Sequence, residues 1–203
     1  MTNTTSDRLQ RGPEQAEGRL VLLHGWGADA DDLLDLADLL VPAQVSVVAL
    51  RAPEPHPLGP GRQWYGLQPI DWDALPQARA DLQSRLEELS ESVPLPRTVV
   101  LGFSQGGAMA LDVAARLPVA GVVACSGYPH EGWQPEQPLA PVLLSHGRQD
   151  PVVPFAASQE VQRRLQAAGG QVTLLPFSGG HSIDSELMPA MANFIGQRLA
   201  LKP

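Results

Sequence analysis

A single cysteine, Cys125, stands in 203 residues, which excludes an internal disulfide framework and any zinc site built on cysteines. Basic residues are scarce too: 14 Lys and Arg face 22 Asp and Glu, for a formal net charge of −8. No basic stripe is left to meet a phosphate backbone, so nucleic acid is excluded as a partner. Uninterrupted apolar runs are a few residues long, far short of the roughly 20 that a membrane-spanning helix needs. The stretch 1–18 is polar, without the apolar segment of a secretory signal, and lipidation motifs are absent. These absences together lead to the expectation of a cytoplasmic protein with no stable membrane insertion. Neither an internal repeat nor a domain-dividing linker interrupts the chain.

What is present is ordinary globular material, 43% hydrophobic and 18% charged. A chain of this size buries roughly 70% of the surface that it exposes when unfolded, so it needs no covalent or metal staples. The expected organisation is a loose N-terminal arm over 1–18, which lacks apolar periodicity, and one domain over 19–203. Strands are expected at Arg19–His24, Val45–Leu50, Arg97–Phe103, Val119–Cys125, Val142–His146 and Gln171–Phe177. They are nearly continuous in apolar character, as strands buried on both faces of a parallel sheet must be. Helices are expected at Asp31–Leu40, Asp73–Ser92, Gln105–Leu117, Ala156–Ala168 and Asp184–Leu201. In the second, Leu82, Leu86 and Leu89 recur at helical spacing. Strand–helix alternation of this kind predicts an α/β fold, a mostly parallel sheet with helices on both faces. Residues 51–73 break the alternation with five prolines, three glycines and the aromatics Trp64, Tyr65 and Trp72. A loop of that length in a compact domain is functional or disordered, and its aromatics favour an ordered one.

The sharpest local feature is Gly102-Phe103-Ser104-Gln105-Gly106-Gly107, a G-x-S-x-G motif between a strong strand and a good helix. That context makes it a nucleophile elbow, a turn on which the serine hydroxyl stands above the sheet. Glycines at 102 and 106 leave room for the tight crossing, and the helix N-terminus favours developing negative charge. A phosphate-binding turn is the weaker reading, since neither G-x-x-x-x-G-K-[ST] nor G-x-G-x-x-G occurs there.

A serine hydroxyl becomes a useful nucleophile only when a base accepts its proton. Of five histidines, His181 lies in a glycine-rich loop directly after the last strand and is the expected base. His24 opens the His24-Gly25-Trp26-Gly27 turn and suits another role. His146 reads as structural, whereas His56 and His130 lie in proline-rich loops where exposure is the default. Asp150 follows the strand Val142–His146 and is the expected acid; Asp112 lies on the nucleophile's own helix, and Asp184 follows the base. Ser104, Asp150 and His181 then fall in the chain order of α/β-hydrolase triads. A tetrahedral oxyanion also needs donors. The backbone N–H groups of Gln105 and Trp26 are the candidates, with both side chains incidental.

LHGWG at 23–27, RAP at 51–53, RQWY at 62–65, GFSQGGAMAL at 102–111, CSGY at 125–128, HGRQDPVVP at 146–154 and GGHSI at 179–183 resemble the signature segments of the phospholipase/carboxylesterase family of α/β-hydrolases. That group includes acyl-protein thioesterases and small bacterial carboxylesterases, and the resemblance runs from about Leu20 to Leu199. It implies an α/β-hydrolase core without a large cap domain, a Ser104–Asp150–His181 triad, and an acyl pocket partly covered by the 51–73 loop. Trp64, Tyr65 and Leu67 are the expected walls of that groove. The chain departs from the family in Tyr65-Gly66, where Phe-Asp is common, and in the acidic run Asp29, Asp31, Asp32, Asp35 and Asp38. Those aspartates read as the solvated side of a helix with several in its first turns, and their spacing matches no metal loop.

The expected function is a serine carboxylesterase that takes small-molecule acyl esters, acyl thioesters or lysophospholipids through an acyl-enzyme intermediate. It needs no cofactor and no metal, and its oligomeric state is left open. An amidase or peptidase with the same triad, and a ligand-binding protein that has lost catalysis, remain as alternatives.

Overall fold

The strands form where β-branched and aliphatic residues leave no polar face, and their neighbours show why none is needed. In the computed structural model, which describes residues 7–137 and 139–201, β2 (Arg19–Leu23) is buried along its whole length. Val21 and Leu23 enter one apolar cluster, and Leu20 and Leu22 enter another on the opposite side of the sheet. β3 (Ser46–Leu50), β6 (Thr98–Phe103), β7 (Gly121–Cys125) and β8 (Val142–Gly147) are buried in the same way. With β9 (Val172–Phe177) they run parallel in the order β3-β2-β6-β7-β8-β9. Helices α2 (Leu75–Leu89), α3 (Gln105–Asp112) and α4 (Ala156–Ala167) cover one face through Leu82, Met109 and Val161. Helices α1 (Leu34–Leu40) and α5 (Met188–Arg198) cover the other through Ala37, Met191 and Ile195. Among the described residues, no helix is long and apolar enough to cross a membrane.

The expected arm over 1–18 is corrected in part. Arg8–Arg11 forms β1, an antiparallel strand on the free edge of β3 that runs from Arg8↔Leu50 to Arg11↔Val47; residues 1–6 lie outside the described ones. All four side chains of β1 are exposed, so main-chain pairing makes the strand and leaves no apolar alternation to read. Arg11 continues from it to the Leu34 carbonyl, to Asp35 at 2.9 Å and to Asp38 at 3.4 Å, which gives part of the acidic run a cation. That run is not a helical first turn as expected. Asp29 and Asp31 close turns onto Asp32 and Leu34, the helix starts at Leu34, and of the five only Asp35 lies in its first turn. The helices expected over 105–117 and 184–201 are shorter, the first followed by a 3₁₀ turn at Ala114–Arg116 and the second preceded by one at Ser185–Leu187.

The 51–73 loop is ordered. Its short antiparallel pair, β4 (Glu54–Pro55) with β5 (Arg62–Gln63), leads into Trp64 and Tyr65, both inside the core. Ser104, His24, Asp150 and His181 all lie just beyond the C-terminal ends of strands, the rim where α/β sheets carry their sites.

Candidate active site

The turn between β6 and α3 holds Ser104 at φ 54° and ψ −116°, left-handed backbone that a residue with a Cβ adopts only when its surroundings enforce it. Two bonds do so: Ser104 N–H donates to the Cys125 carbonyl at 2.8 Å, and the Ser104 carbonyl accepts from Ala108 N–H at 3.0 Å. A Cβ on Gly106 would overlap the Leu23 carbonyl oxygen, so only glycine lets α3 start this close to β2. The result is a hydroxyl at the rim of the sheet on a residue 9% exposed.

His181 arrives from the loop after β9. Its Nε2 lies 2.9 Å from Ser104 Oγ and its Nδ1 lies 2.7 Å from Asp150 Oδ2. Since Oδ2 only accepts, Nδ1 carries the proton and Nε2 is the basic nitrogen facing the hydroxyl. The other carboxylate oxygen accepts from the N–H groups of Val152 at 2.8 Å and Val153 at 2.9 Å. Burial pushes the Asp150 carboxyl upward, but these bonds from His181, Val153 and Val152 outweigh it and hold the pKa below the ordinary value. The loops of base and acid are tied to each other: Gln149 N–H donates to the Gly179 carbonyl at 2.9 Å. A Cβ on Gly147 would run into the carbonyls of Gly179 and Gly180, so glycine sets that approach. The Phe103 ring lies 4.9 Å from the His181 ring.

Across the serine, the turn after β2 presents Trp26. Its backbone N–H and that of Gln105 have no acceptor among the described residues. His24 shapes this turn. Its Nδ1 lies 2.8 Å from the Gly25 carbonyl and so bears the proton; its Nε2 accepts from Ala52 N–H at 3.1 Å. Burial lowers its pKa, which keeps this neutral form. The Gln105 side chain is fully buried: Oε1 accepts from Trp64 N–H at 3.0 Å, and Nε2 donates to the Tyr65 carbonyl at 2.8 Å. The Trp26 indole bonds Gln63 at 2.8 Å and meets His56 edge to face.

The groove-wall expectation does not match where Trp64 and Tyr65 go. Trp64 is 1% and Tyr65 0% exposed. The Trp64 indole N–H donates to the His24 carbonyl at 3.0 Å, and the two tyrosine hydroxyls, Tyr65 and Tyr128, meet at 2.7 Å. Leu67 is half-buried and packs on the same core. A hollow of about 510 Å³ does touch Trp64 and Tyr65, but it runs along α2 past Ala74 and Gln77, and Ser104 does not line it. Aromatic residues in a proline-rich loop cost less when buried than when held in water, and here the core took them.

A sequence profile of phospholipases and carboxylesterases matches residues 5–199. The chain belongs to the phospholipase/carboxylesterase family. It is 30% identical over 192 residues to esterase YpfH of Escherichia coli (strain K12), covering 89% of this chain and 82% of that one. With acyl-protein thioesterase 1 of Eremothecium gossypii it shares 26% over 229 residues, covering 100% and 97%. The crystal structure of esterase PE8 superposes with a TM-score of 0.85 at 28% identity over 94% of this chain and 98% of that one. The sheet, its helices and the absence of a large cap are the α/β-hydrolase fold of this family.

Within the family frame, three features escape sequence reasoning. The Gln105 side chain clamps the loop; a polar residue at the start of an otherwise small, apolar helix was its visible signal. His146 is wholly buried beside Asp150. His130, expected at the surface, is buried instead, with Nδ1 2.6 Å from Asp112 Oδ2. Arg79 binds the same carboxylate, and these partners outweigh burial and keep Asp112 below its ordinary pKa. This second His–Asp pair faces Tyr65, Trp72 and Tyr128, and among the described residues no serine or cysteine is bonded to it. Among the described residues, no group of acidic, histidine and cysteine side chains has the arrangement of a metal site.

Proposed function

We propose that the protein is a serine carboxylesterase that cleaves carboxylic esters or acyl thioesters through a covalent acyl-enzyme. The single observation that carries this reading is the unbroken line of hydrogen bonds from Ser104 through His181 to Asp150. His181 Nε2 takes the hydroxyl proton as Ser104 Oγ attacks the acyl carbon, and the carbonyl oxygen becomes an oxyanion. The unpaired N–H groups of Trp26 and Gln105 receive that charge. The imidazolium then protonates the departing alkoxide or thiolate, leaving an acylated serine. A water molecule repeats the attack with His181 again as base, and release of the acid restores the serine. Asp150 holds the Nδ1–H tautomer and balances the imidazolium charge. The E. coli esterase and the Eremothecium thioesterase among the relatives agree with small acyl esters and thioesters as the substrate class.

The test is hydrolysis of p-nitrophenyl acetate and butyrate and of one acyl thioester, with labelling by a fluorophosphonate probe. Wild type is expected to react with the probe at Ser104, and Ser104→Ala is expected to lose about 10⁶-fold in kcat with its fold intact. Asp150→Asn is expected to lose on the order of 10⁴-fold. Since Oδ1 takes two N–H donors and Oδ2 takes a third, an asparagine NH₂ meets a donor in either orientation. A wild type inert to the probe, or full turnover in either variant, ends this reading.

A further inference from the structure

His146 is the last residue but one of β8, four residues before Asp150, and its ring is completely enclosed, with a side-chain exposure of 0%. Its Nε2 lies 2.8 Å from the Val153 carbonyl oxygen, which only accepts, so Nε2 carries the proton. The same nitrogen is 3.3 Å from Asp150 Oδ2, the oxygen that accepts from His181. On the far side of the ring, Nδ1 lies 2.6 Å from Ser158 Oγ on α4. With Nε2 protonated, Nδ1 is the acceptor and the serine hydroxyl donates, which locks the tautomer. The Phe155 ring packs edge-on at 5.8 Å and completes the enclosure.

His146 therefore reaches the acid from two directions. Its Nε2, with the proton bonded to the Val153 carbonyl, stands 3.3 Å from Oδ2. Through the Val153 carbonyl it also fastens the short backbone segment whose Val152 and Val153 amides grip Oδ1. A purely structural histidine in an apolar strand would need only its own polar atoms satisfied, and the Val153 carbonyl and Ser158 hydroxyl already do that. The approach to Oδ2 is additional, and it falls on the oxygen that His181 uses. The buried Asp112–His130 pair shows the contrast: there one histidine meets the carboxylate and no second imidazole stands behind it.

We propose that His146 is a positioning residue for Asp150: it fixes the plane of the carboxylate so that Oδ2 meets His181 Nδ1–H in line. The proposal rests on the reading of Ser104 as the nucleophile. His146 touches neither Ser104 nor the base, so it acts on the rate of the chemical step and not on substrate affinity.

The test compares His146→Met, which keeps the volume and removes every donor, with His146→Gln, whose amide NH₂ reaches the place of Nε2. Three readouts are taken on the full-length protein: kcat and KM for p-nitrophenyl butyrate, the rate of fluorophosphonate labelling, and the ¹H NMR signal of the His181 Nδ1–H proton. His146→Met is expected to lose about 10–100-fold in kcat, the scale on which partners of a reacting group's ligand act. KM is expected to stay within about twofold, and the Nδ1–H signal to shift or broaden. His146→Gln is expected to regain most of the rate and the signal. Should His146→Met fail to fold, Ser158→Ala reads the same point: it takes away the hydroxyl that holds Nδ1, frees the ring to shift from Oδ2, and is expected to lower kcat several-fold at unchanged KM. Equal losses in the Met and Gln variants with an unmoved Nδ1–H signal would make His146 a packing residue and overturn the proposal. So would undiminished labelling in His146→Met, or in Ser158→Ala where that variant stands in. A wild type that does not react with the probe at all removes the reading of Ser104, and this one with it.

Discussion

The Gln105 side chain sits on the residue whose backbone N–H is a proposed oxyanion donor, and the two parts of that residue have separate work. The amide nitrogen and oxygen of the side chain pair with the Tyr65 carbonyl and the Trp64 N–H as a neighbouring strand would. The expectation that this side chain is incidental to the oxyanion role concerns the backbone N–H alone; the structure adds a separate role, holding the loop. Gln105→Ala leaves two buried backbone groups without partners, each at a cost of about 1–3 kcal/mol. The expected outcome is a clear drop in stability by urea unfolding, with a smaller loss of kcat at temperatures where the variant stays folded. A kcat loss of about 10²–10³ in fully folded protein would instead mark the side chain as an oxyanion donor.

Among the elements, those that bury both faces are the ones that can be read in advance. The central strands hold few polar residues, and those stand at or near strand ends, so the apolar run stays visible and the expected ranges match within a few residues. β1 could not be read, because RLQR exposes every side chain and its pairing with β3 runs through the main chain, which leaves no apolar alternation in the sequence. Ser104, Asp150 and His181 were legible because each follows a strand, and strand ends converge on one rim of a parallel sheet. The direction of Trp64 and Tyr65 was not, since a loop residue's burial depends on what lies beneath it. For the loop this reverses an expectation about substrate choice. Trp64 anchors the segment through the His24 carbonyl, so Trp64→Ala is expected to cost about 3–5 kcal/mol of stability. Its kcat/KM loss is expected to be alike for acetate, butyrate and octanoate esters. A variant that stays as stable as wild type and changes only the chain-length slope would return Trp64 to the groove.

For the whole molecule, the charge state of one enclosed imidazole sets a pH limit. An imidazole in the unfolded chain takes up a proton near pH 6.5, whereas burial makes His24 resist it, partly offset by the Gly25 carbonyl and by Asp29 and Asp32. Below about pH 6.5 the unfolded state then binds more protons than the folded one, so stability falls as the pH drops. The contributions of Asp29, Asp112 and Asp150, whose pKa values are lowered, persist until the pH approaches the carboxylate range. The unfolding midpoint is expected to decline between pH 7 and 5. The decline should be shallower in His24→Asn, which still donates to the Gly25 carbonyl; an identical slope would assign the effect to other groups.

The 51–73 segment is stitched to the site at both ends, by Ala52 N–H to His24 and by Trp64 and Tyr65 to Gln105. Lifting it would strand three polar backbone groups and pull on the turn and the helix that carry the two amides proposed as oxyanion donors. The segment is expected to stay in place when substrate binds and not to act as a lid. Amide hydrogen exchange at Trp64 should accordingly be as slow as in the central strands, opening only when the sheet itself comes apart.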